Sequence, residues 1–274
     1  PSYAYNHYLM IALGGKNGQR TLYKTNQPTG SSLHPPHPDG ICNYPENDYL
    51  FPITEESIEV QTLESALDIF RLKQVDAIKL DTQGTELEIL KGLGPELSKD
   101  LLLIEMEIPI IGGYDGNATD LTSSIHFVEE LGLDLFDFRC NRFPGNAVRL
   151  GKDFLKEKLA ADLEVPSMAQ RLAEVDAVFF KDPKKLINEG CSQEKLRRLI
   201  VLLAVYYFFP EAVFAAQYAS EHDIISEEEK TEILETLAKL HGMARNQSRA
   251  YEKHLAERGG LNWGQYMHVP SPST

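Results

Sequence analysis

Two short, almost unbroken apolar runs, VDAIKL (75–80) and LLLIEMEI (101–108), flank a segment with helical spacing, TELEILKG (85–92). Runs of this length without polar alternation suit strands covered on both faces, the condition of a parallel sheet. The helix pattern between them stops at Gly92 and Gly94, with Pro95 just beyond. Further strand patterns are YLMIAL (8–13), RTLYKT (20–25), IEVQTL (58–63), LDLFDFR (133–139) and VDAVFFKD (175–182). Helix patterns ESALDIFRLKQ (64–74) and SSIHFVEELG (123–132) are interleaved with them. This alternation predicts an α/β fold with a mostly parallel sheet. GGKNG (14–18) separates the first two strand patterns and reads as a hairpin turn.

Beyond Pro183 the pattern is helical only, so the expected division is a domain over 1–183 and a helical extension over 184–274. Ser192 is the expected N-cap of the first long helix. Ser226 with Glu229 has capping-box spacing, and Gly242 is the expected stop of the last helix. The apolar run Leu199–Ala219 carries Pro210 and Glu211 at its centre, which favours two helices meeting there over a membrane span.

The formal charge of -14 argues against nucleic acid as a partner, since phosphate backbones are met by clustered Lys and Arg. Cys42, Cys140 and Cys191 are distant and odd in number, which suits a reducing compartment and a cytoplasmic location. The opening residues show no charged segment followed by an apolar core, so no signal peptide is expected.

Chemistry concentrates at IKLDTQGTELEILKGLG (78–94), where Asp81, Gln83, Gly84 and Glu86 crowd a strand-to-helix corner. Ligands of open α/β sheets sit outside the carboxyl ends of the strands, so Asp81 is expected to face that crevice. Gly84 permits a sharp turn and close approach of a ligand. Glu86 suits the positive end of a helix, a role it could fill without any function. In the loop HPPHPDG (34–40), His34, His37 and Asp39 lie close in sequence, and His37 is a candidate base near the substrate. A solvated or substrate-facing loop is the preferred reading there, and no metal site is expected.

The string VDAIKLDTQGTELEILKG, followed by LLLIEMEI, resembles the central signature of the FkbM-type methyltransferases, on which Lys79, Asp81, Gln83, Gly84, Glu86, Leu90, Gly92 and Glu105 fall. IALGGKNGQRTLYKT, GSSL (30–33), VQTLESAL and DAVFFKD are similar to other family segments in the same order, so the resemblance covers about residues 8–182. It implies a Rossmann-like class I methyltransferase sheet and S-adenosylmethionine as cofactor. The activity it implies is O-methylation of a small-molecule or glycan hydroxyl. The family's glycine-rich cofactor loop has no counterpart here, because GGKNG lies between strand patterns, so the sheet is expected to lack its first two strands.

By the resemblance, Ala12 and Leu13 border the adenine, and Gln83 and Gly84 approach the methionine side. Methyl transfer to a hydroxyl benefits from a group that accepts its proton. Asp81 is the first choice for base or substrate orientation, with Glu105 and Glu86 as further candidates; Asp81 and Glu105 could alternatively hold a divalent cation. The competing reading is a non-catalytic FkbM-like module that acts through protein contacts of its helical tail. Homo-oligomer formation through that extension is a further expectation.

Overall fold

A computed structural model describes residues 9–26, 28–37, 53–110, 113–116, 119–143 and 171–257. The chain divides into two compact units, Pro1–Leu131 with Cys140–Ala177, and Gly132–Arg139 with Val178–Thr274.

In the first unit, β1 (Ala12–Leu13), β2 (Gly18–Lys24) and β3 (Thr54–Gln61) form a three-stranded sheet in the order β1-β3-β2. β1 runs parallel to β3, with Ala12 opposite Val60, and β2 runs antiparallel to it, with Gly18 opposite the same Val60. The GGKNG segment therefore reverses the chain without pairing its flanking strands, because β3 lies between them. Asn17 shows why: its side-chain oxygen accepts from Thr62 N at 2.7 Å and its amide donates to Ser65 Oγ at 3.0 Å. These bonds tie the turn to the end of β3 and leave no role for a two-strand hairpin.

Thr62 caps α1 (Leu63–Asp68), its hydroxyl accepting from Ser65 N at 3.2 Å. Then follow β4 (Ala77–Leu80), α2 (Glu86–Lys91), α3 (Pro95–Ser98), β5 (Leu103–Pro109) and α4 (Leu121–Glu130). β4 and β5 are parallel, with Lys79 opposite Glu105 and Leu80 opposite Met106. The run 101–108 is buried as its composition requires, with Leu103, Ile104, Met106 and Ile108 of β5 inside, as are Ile89 and Leu90 of α2; the run 75–80 is not, because β4 ends the strand order and only its Leu80 is buried. Next to β5 lies β7 (Arg171–Lys181), joined at the strand end by Ile110 N donating to Ala173 O at 2.8 Å.

α2 ends against backbone. A Cβ added to Gly92 would lie 3.1 Å from Gly14 O and 3.2 Å from Ile89 O, both main-chain atoms. Gly92→Ala should therefore destabilise the chain by about 1–2 kcal/mol, the usual cost of mild overpacking, read as a lower urea midpoint at unchanged slope.

In the second unit β7 continues beside β6 (Leu133–Phe143), and helices α5 (Pro183–Asn188), α6 (Gln193–Val205), α7 (Phe209–Glu221) and α8 (Glu227–Glu257) follow. Ser192 caps α6 through Lys195 N at 3.2 Å, and Ser226 Oγ accepts from Glu229 N at 3.1 Å. Pro210 sits in the first turn of α7, where its missing N–H is harmless. α6 packs on α7, placing buried Leu196, Leu199 and Leu203 against buried Ala212, Ala215 and Ala216. Phe180 carries an aromatic cluster of Phe136, Tyr206 and Phe208, with ring centroids 5.2–5.6 Å from its own.

Gly242 does not end α8, which continues to Glu257. A mid-helix glycine costs only about 1 kcal/mol, and no breaker follows it. Among the described residues no helix is long and apolar enough to cross a membrane. The molecule is thus a mixed α/β protein with two sheets and a helical C-terminal part, compatible with a methyltransferase-like fold.

Candidate functional site

The corner after β4 is organised around a carboxylate with no solvent exposure. Glu86 Oε1 accepts from Thr82 N at 2.7 Å, Thr82 Oγ1 at 3.1 Å and Gly84 N at 3.1 Å. Its Oε2 accepts from Gly84 N at 3.1 Å and from Thr119 Oγ1 at 2.9 Å. Leu87 N in turn donates to Thr119 Oγ1 at 3.1 Å, and Thr119 N to Gly84 O at 3.1 Å. A fully buried carboxylate is tolerable only when its lone pairs are met in this way, and here meeting them fixes the shape of the turn.

The turn carries backbone strain. Gln83 has φ 60° and Gly84 φ 99°. The left-handed region costs a non-glycine residue about 1 kcal/mol, and such residues gather at sites that over-determine them. Gln83 is over-determined: its carbonyl accepts from Ser32 Oγ at 2.6 Å, and its side-chain oxygen accepts from Tyr114 OH at 2.7 Å. With that oxygen occupied, the Gln83 amide nitrogen faces Asp81 Oδ1 at 3.4 Å and Glu107 Oε1 at 3.5 Å.

Residues 2–131 match the family model of the methyltransferase FkbM domain. The FkbM match takes in everything from β1 to α4, hence the whole corner, and points to methyl transfer as the activity. No curated protein and no solved structure matches the chain.

Around this corner the charges fall on one face of the sheet. Lys79 Nζ donates to Glu105 Oε1 at 2.6 Å, and Glu105 is buried. Partial burial works against the Lys79 ammonium, but the Glu105 hydrogen bond and the carboxylates of Glu105, Asp176 and Asp81 outweigh it and raise its pKa. Two residues on, at the same sheet face, Asp81 is exposed and Glu107 half-buried. Burial, reinforced by the negative charges of Glu174, Asp81, Glu86 and Asp176, pushes the Glu107 carboxyl up to about 8.

The structure thus brings Asp81, Gln83, Gly84 and Glu86 together at the corner, with Glu105 one strand away and ion-paired to Lys79. Ala12 and Leu13 lie half-buried in β1, alongside β3. His37 sits beside the Pro36–Tyr114 bridge, its Nε2 3.4 Å from Asp115 Oδ1. Asp39 lies outside the described residues. No three His, Cys, Asp or Glu side chains among the described residues gather as a metal site.

Glu107, Tyr114, Glu174 and Asp176 are participants that the sequence reading passed over. A signal was available for three of them. Glu105-Met106-Glu107 and Glu174-Val175-Asp176 each place two carboxylates two residues apart in an otherwise apolar strand, hence on one face. Two adjacent strands with acidic residues on an interior face are a departure from core patterning. Tyr114 lies in a loop with no such pattern.

Proposed function

We propose that the chain is an S-adenosylmethionine-dependent O-methyltransferase whose acceptor hydroxyl is activated at the Asp81–Gln83–Glu107 corner. The observation that carries the reading is Glu107, a half-buried carboxyl pushed up to about 8 beside an amide aimed at it. General bases work best when their pKa lies near the working pH, and perturbed carboxyls in clefts mark functional sites.

The residues also suit the cofactor's charge. Glu107 is raised partly because Asp81, Glu174 and Asp176 face it with negative charge, and a sulfonium cation is the complement of that field. S-adenosylmethionine would supply the methyl group as that sulfonium, with Asp81, Gln83 and Gly84 as its nearest partners at the corner. Glu107, ionised, accepts the proton the acceptor hydroxyl gives up. Asp81 and the Gln83 amide hold that hydroxyl in line, and alignment supplies much of the rate in such displacements. Glu86 positions the corner and touches neither reactant. Lys79 pairs with Glu105 at 2.6 Å and holds its carboxyl against β4.

Isothermal titration of S-adenosylmethionine and S-adenosylhomocysteine into the 274-residue chain tests this. Binding of both is expected, with the sulfonium form favoured and that preference reduced in Asp81→Asn. Absence of binding by either compound, together with no methyl transfer to hydroxyl acceptors, would leave the non-catalytic module as the reading.

A further inference from the structure

The last helix, α8, carries its charge in two opposite halves. Residues 227–235 hold Glu227, Glu228, Glu229, Glu232 and Glu235 against Lys230. Residues 236–257 hold Lys239, Arg245, Arg249 and Lys253 against Glu252 and Glu257. The helix dipole favours such signs only within the first and last turns, so it does not account for Glu232, Glu235 or Arg245. The acidic half lies along α7. Ser220 Oγ donates to Glu227 Oε1 at 2.7 Å near one end, and the Phe209 and His241 ring centroids are 5.1 Å apart near the other. Leu237 is buried between these two contacts.

α7 begins at Phe209, so it does not follow α8 past His241. Beyond that point Met243 is 60% exposed and residues 245–247 are exposed. α8 nevertheless continues to Glu257, roughly 24 Å further, and a helical stretch of that length has little stability of its own in water. Gly242 stands at the midpoint of the 31 residues of α8. A Cβ built on it would meet nothing from elsewhere in the described chain within 4 Å, so internal packing does not require glycine there. Around it the sequence repeats every seven residues. Glu232, Lys239, Asn246 and Lys253 form one row, flanked by Glu235, Gly242 and Arg249 and by Thr236, Met243 and Ala250. A repeat of seven aligns such rows into one stripe along a helix. Glu232, Glu235, Thr236, Lys239, Met243 and Asn246 of that stripe are exposed.

We infer that α8 is a self-association surface, on which a second copy of the chain lays its own α8 antiparallel, with a two-fold axis between Gly242 and Met243. Reversing the helix about that point maps the stripe onto itself. Glu232 then falls opposite Lys253 of the second copy, Glu235 beside Arg249, and Lys239 opposite Asn246, each twice by symmetry. Met243 of each copy falls opposite Gly242 of the other, where the missing side chain lets the backbones approach. The basic half of each helix, which α7 does not reach, is thereby held on the acidic half of the other. A parallel pairing would instead set acidic half against acidic half. Self-association of this kind does not depend on the methyltransferase reading.

Sedimentation velocity of the 274-residue chain between about 1 and 100 µM should show its mass rising from one chain toward two, less steeply in about 0.5 M salt. Two reversed variants sharpen the test. Glu232→Lys with Glu235→Lys sets lysines against Lys253 and Arg249, and Arg249→Glu with Lys253→Glu sets glutamates against Glu232 and Glu235. Each alone should self-associate at least about tenfold more weakly than the parent, because attractive pairs become repulsive. Mixed in equal amounts they should pair with each other to within about threefold of the parent's affinity, since opposite charges meet again. Orientation is read by cross-linking. On oxidation Met243→Cys should give a disulfide-linked dimer beyond any the parent forms. Glu232→Cys should not, because its two copies lie roughly 30 Å apart across the axis. A mass independent of concentration, reversed variants that associate as the parent does, a mixture that stays unpaired, or cross-linking through Glu232→Cys would each overturn the inference.

Discussion

Glu107→Gln should lower the rate of methyl transfer by about 100-fold or more while making the folded chain more stable at alkaline pH. The two effects share one cause. Burial and four surrounding carboxylates push Glu107 from an ordinary value near 4.5 to about 8, so its ionised form is disfavoured where it stands. Between those values the folded chain holds a proton that the unfolded chain has released. Stability from this group is therefore complete below about pH 4.5, declines through the interval, and is lost once pH passes about 8. The full shift would correspond to several kcal/mol; water at the partly exposed carboxyl reduces this, and about 2 kcal/mol at pH 9 is the expected gain for the uncharged isostere.

Activity runs the other way, because proton acceptance needs the carboxylate. The rate at saturating donor should climb with pH to a plateau above about 8, and Glu107→Gln should flatten that climb along with the rate. Urea unfolding at pH 5 and pH 9, beside the pH–rate profile, measures both. A variant that kept the parent's pH–rate profile would remove Glu107 from the chemistry. One that gained no stability at pH 9 would show that its carboxyl is not held in the neutral form.

The apolar patterning of 75–80 and 101–108 was enough to read β4 and β5 as parallel strands, but burial on both faces was right only for β5: β4 ends the strand order and buries Leu80 alone. The caps at Ser192 and the break at Pro210 were legible for the same local reason. What the sequence did not disclose is pairing at a distance. GGKNG has the composition of a hairpin turn, yet β3, thirty-six residues past Gly18, takes the place between the two strands. Gly242 misled because glycine reports a local preference, and one unfavourable residue does not stop a helix already propagating.

The site was legible in kind more than in detail. Asp81, Gln83, Gly84 and Glu86 could be singled out because they are too many polar groups for one turn. Their separate tasks could not be assigned, because these depend on what faces them from elsewhere: Tyr114 and Ser32 on Gln83, Thr119 on Glu86, Glu174 and Asp176 on Glu107. The choice between Glu105 and Glu107 shows this well. Both alternate onto the same face, and only the β4–β5 register shows that Glu105 is opposite Lys79. Glu107, one step beyond that cation, is left with the carboxylates.

Glu86 offers the largest expected loss of stability in the chain. Its two oxygens receive Thr82 N, Thr82 Oγ1, Gly84 N and Thr119 Oγ1 with no solvent to replace them. Glu86→Gln keeps the shape but replaces one acceptor oxygen with an NH2 that meets the Gly84 N–H at either position, since that amide approaches both oxygens at 3.1 Å. A buried donor set against a donor forfeits the bond and strands both groups, so about 3 kcal/mol is expected, with Glu86→Ala somewhat worse at about 4 kcal/mol. The damage should also reach Gln83, whose left-handed backbone survives only while the turn is held from both sides. Methyl transfer should therefore fall in both variants along with stability, whereas a Glu86 that served only as a base would lose activity on change to Gln and keep its urea midpoint. Adding Thr119→Val to Glu86→Gln separates these further. Removing the hydroxyl deletes one of Glu86's donors, so the Gln substitution should cost less in the Thr119→Val background than alone. Equal costs in the two backgrounds would mean that the Glu86–Thr119 bond does not hold the corner.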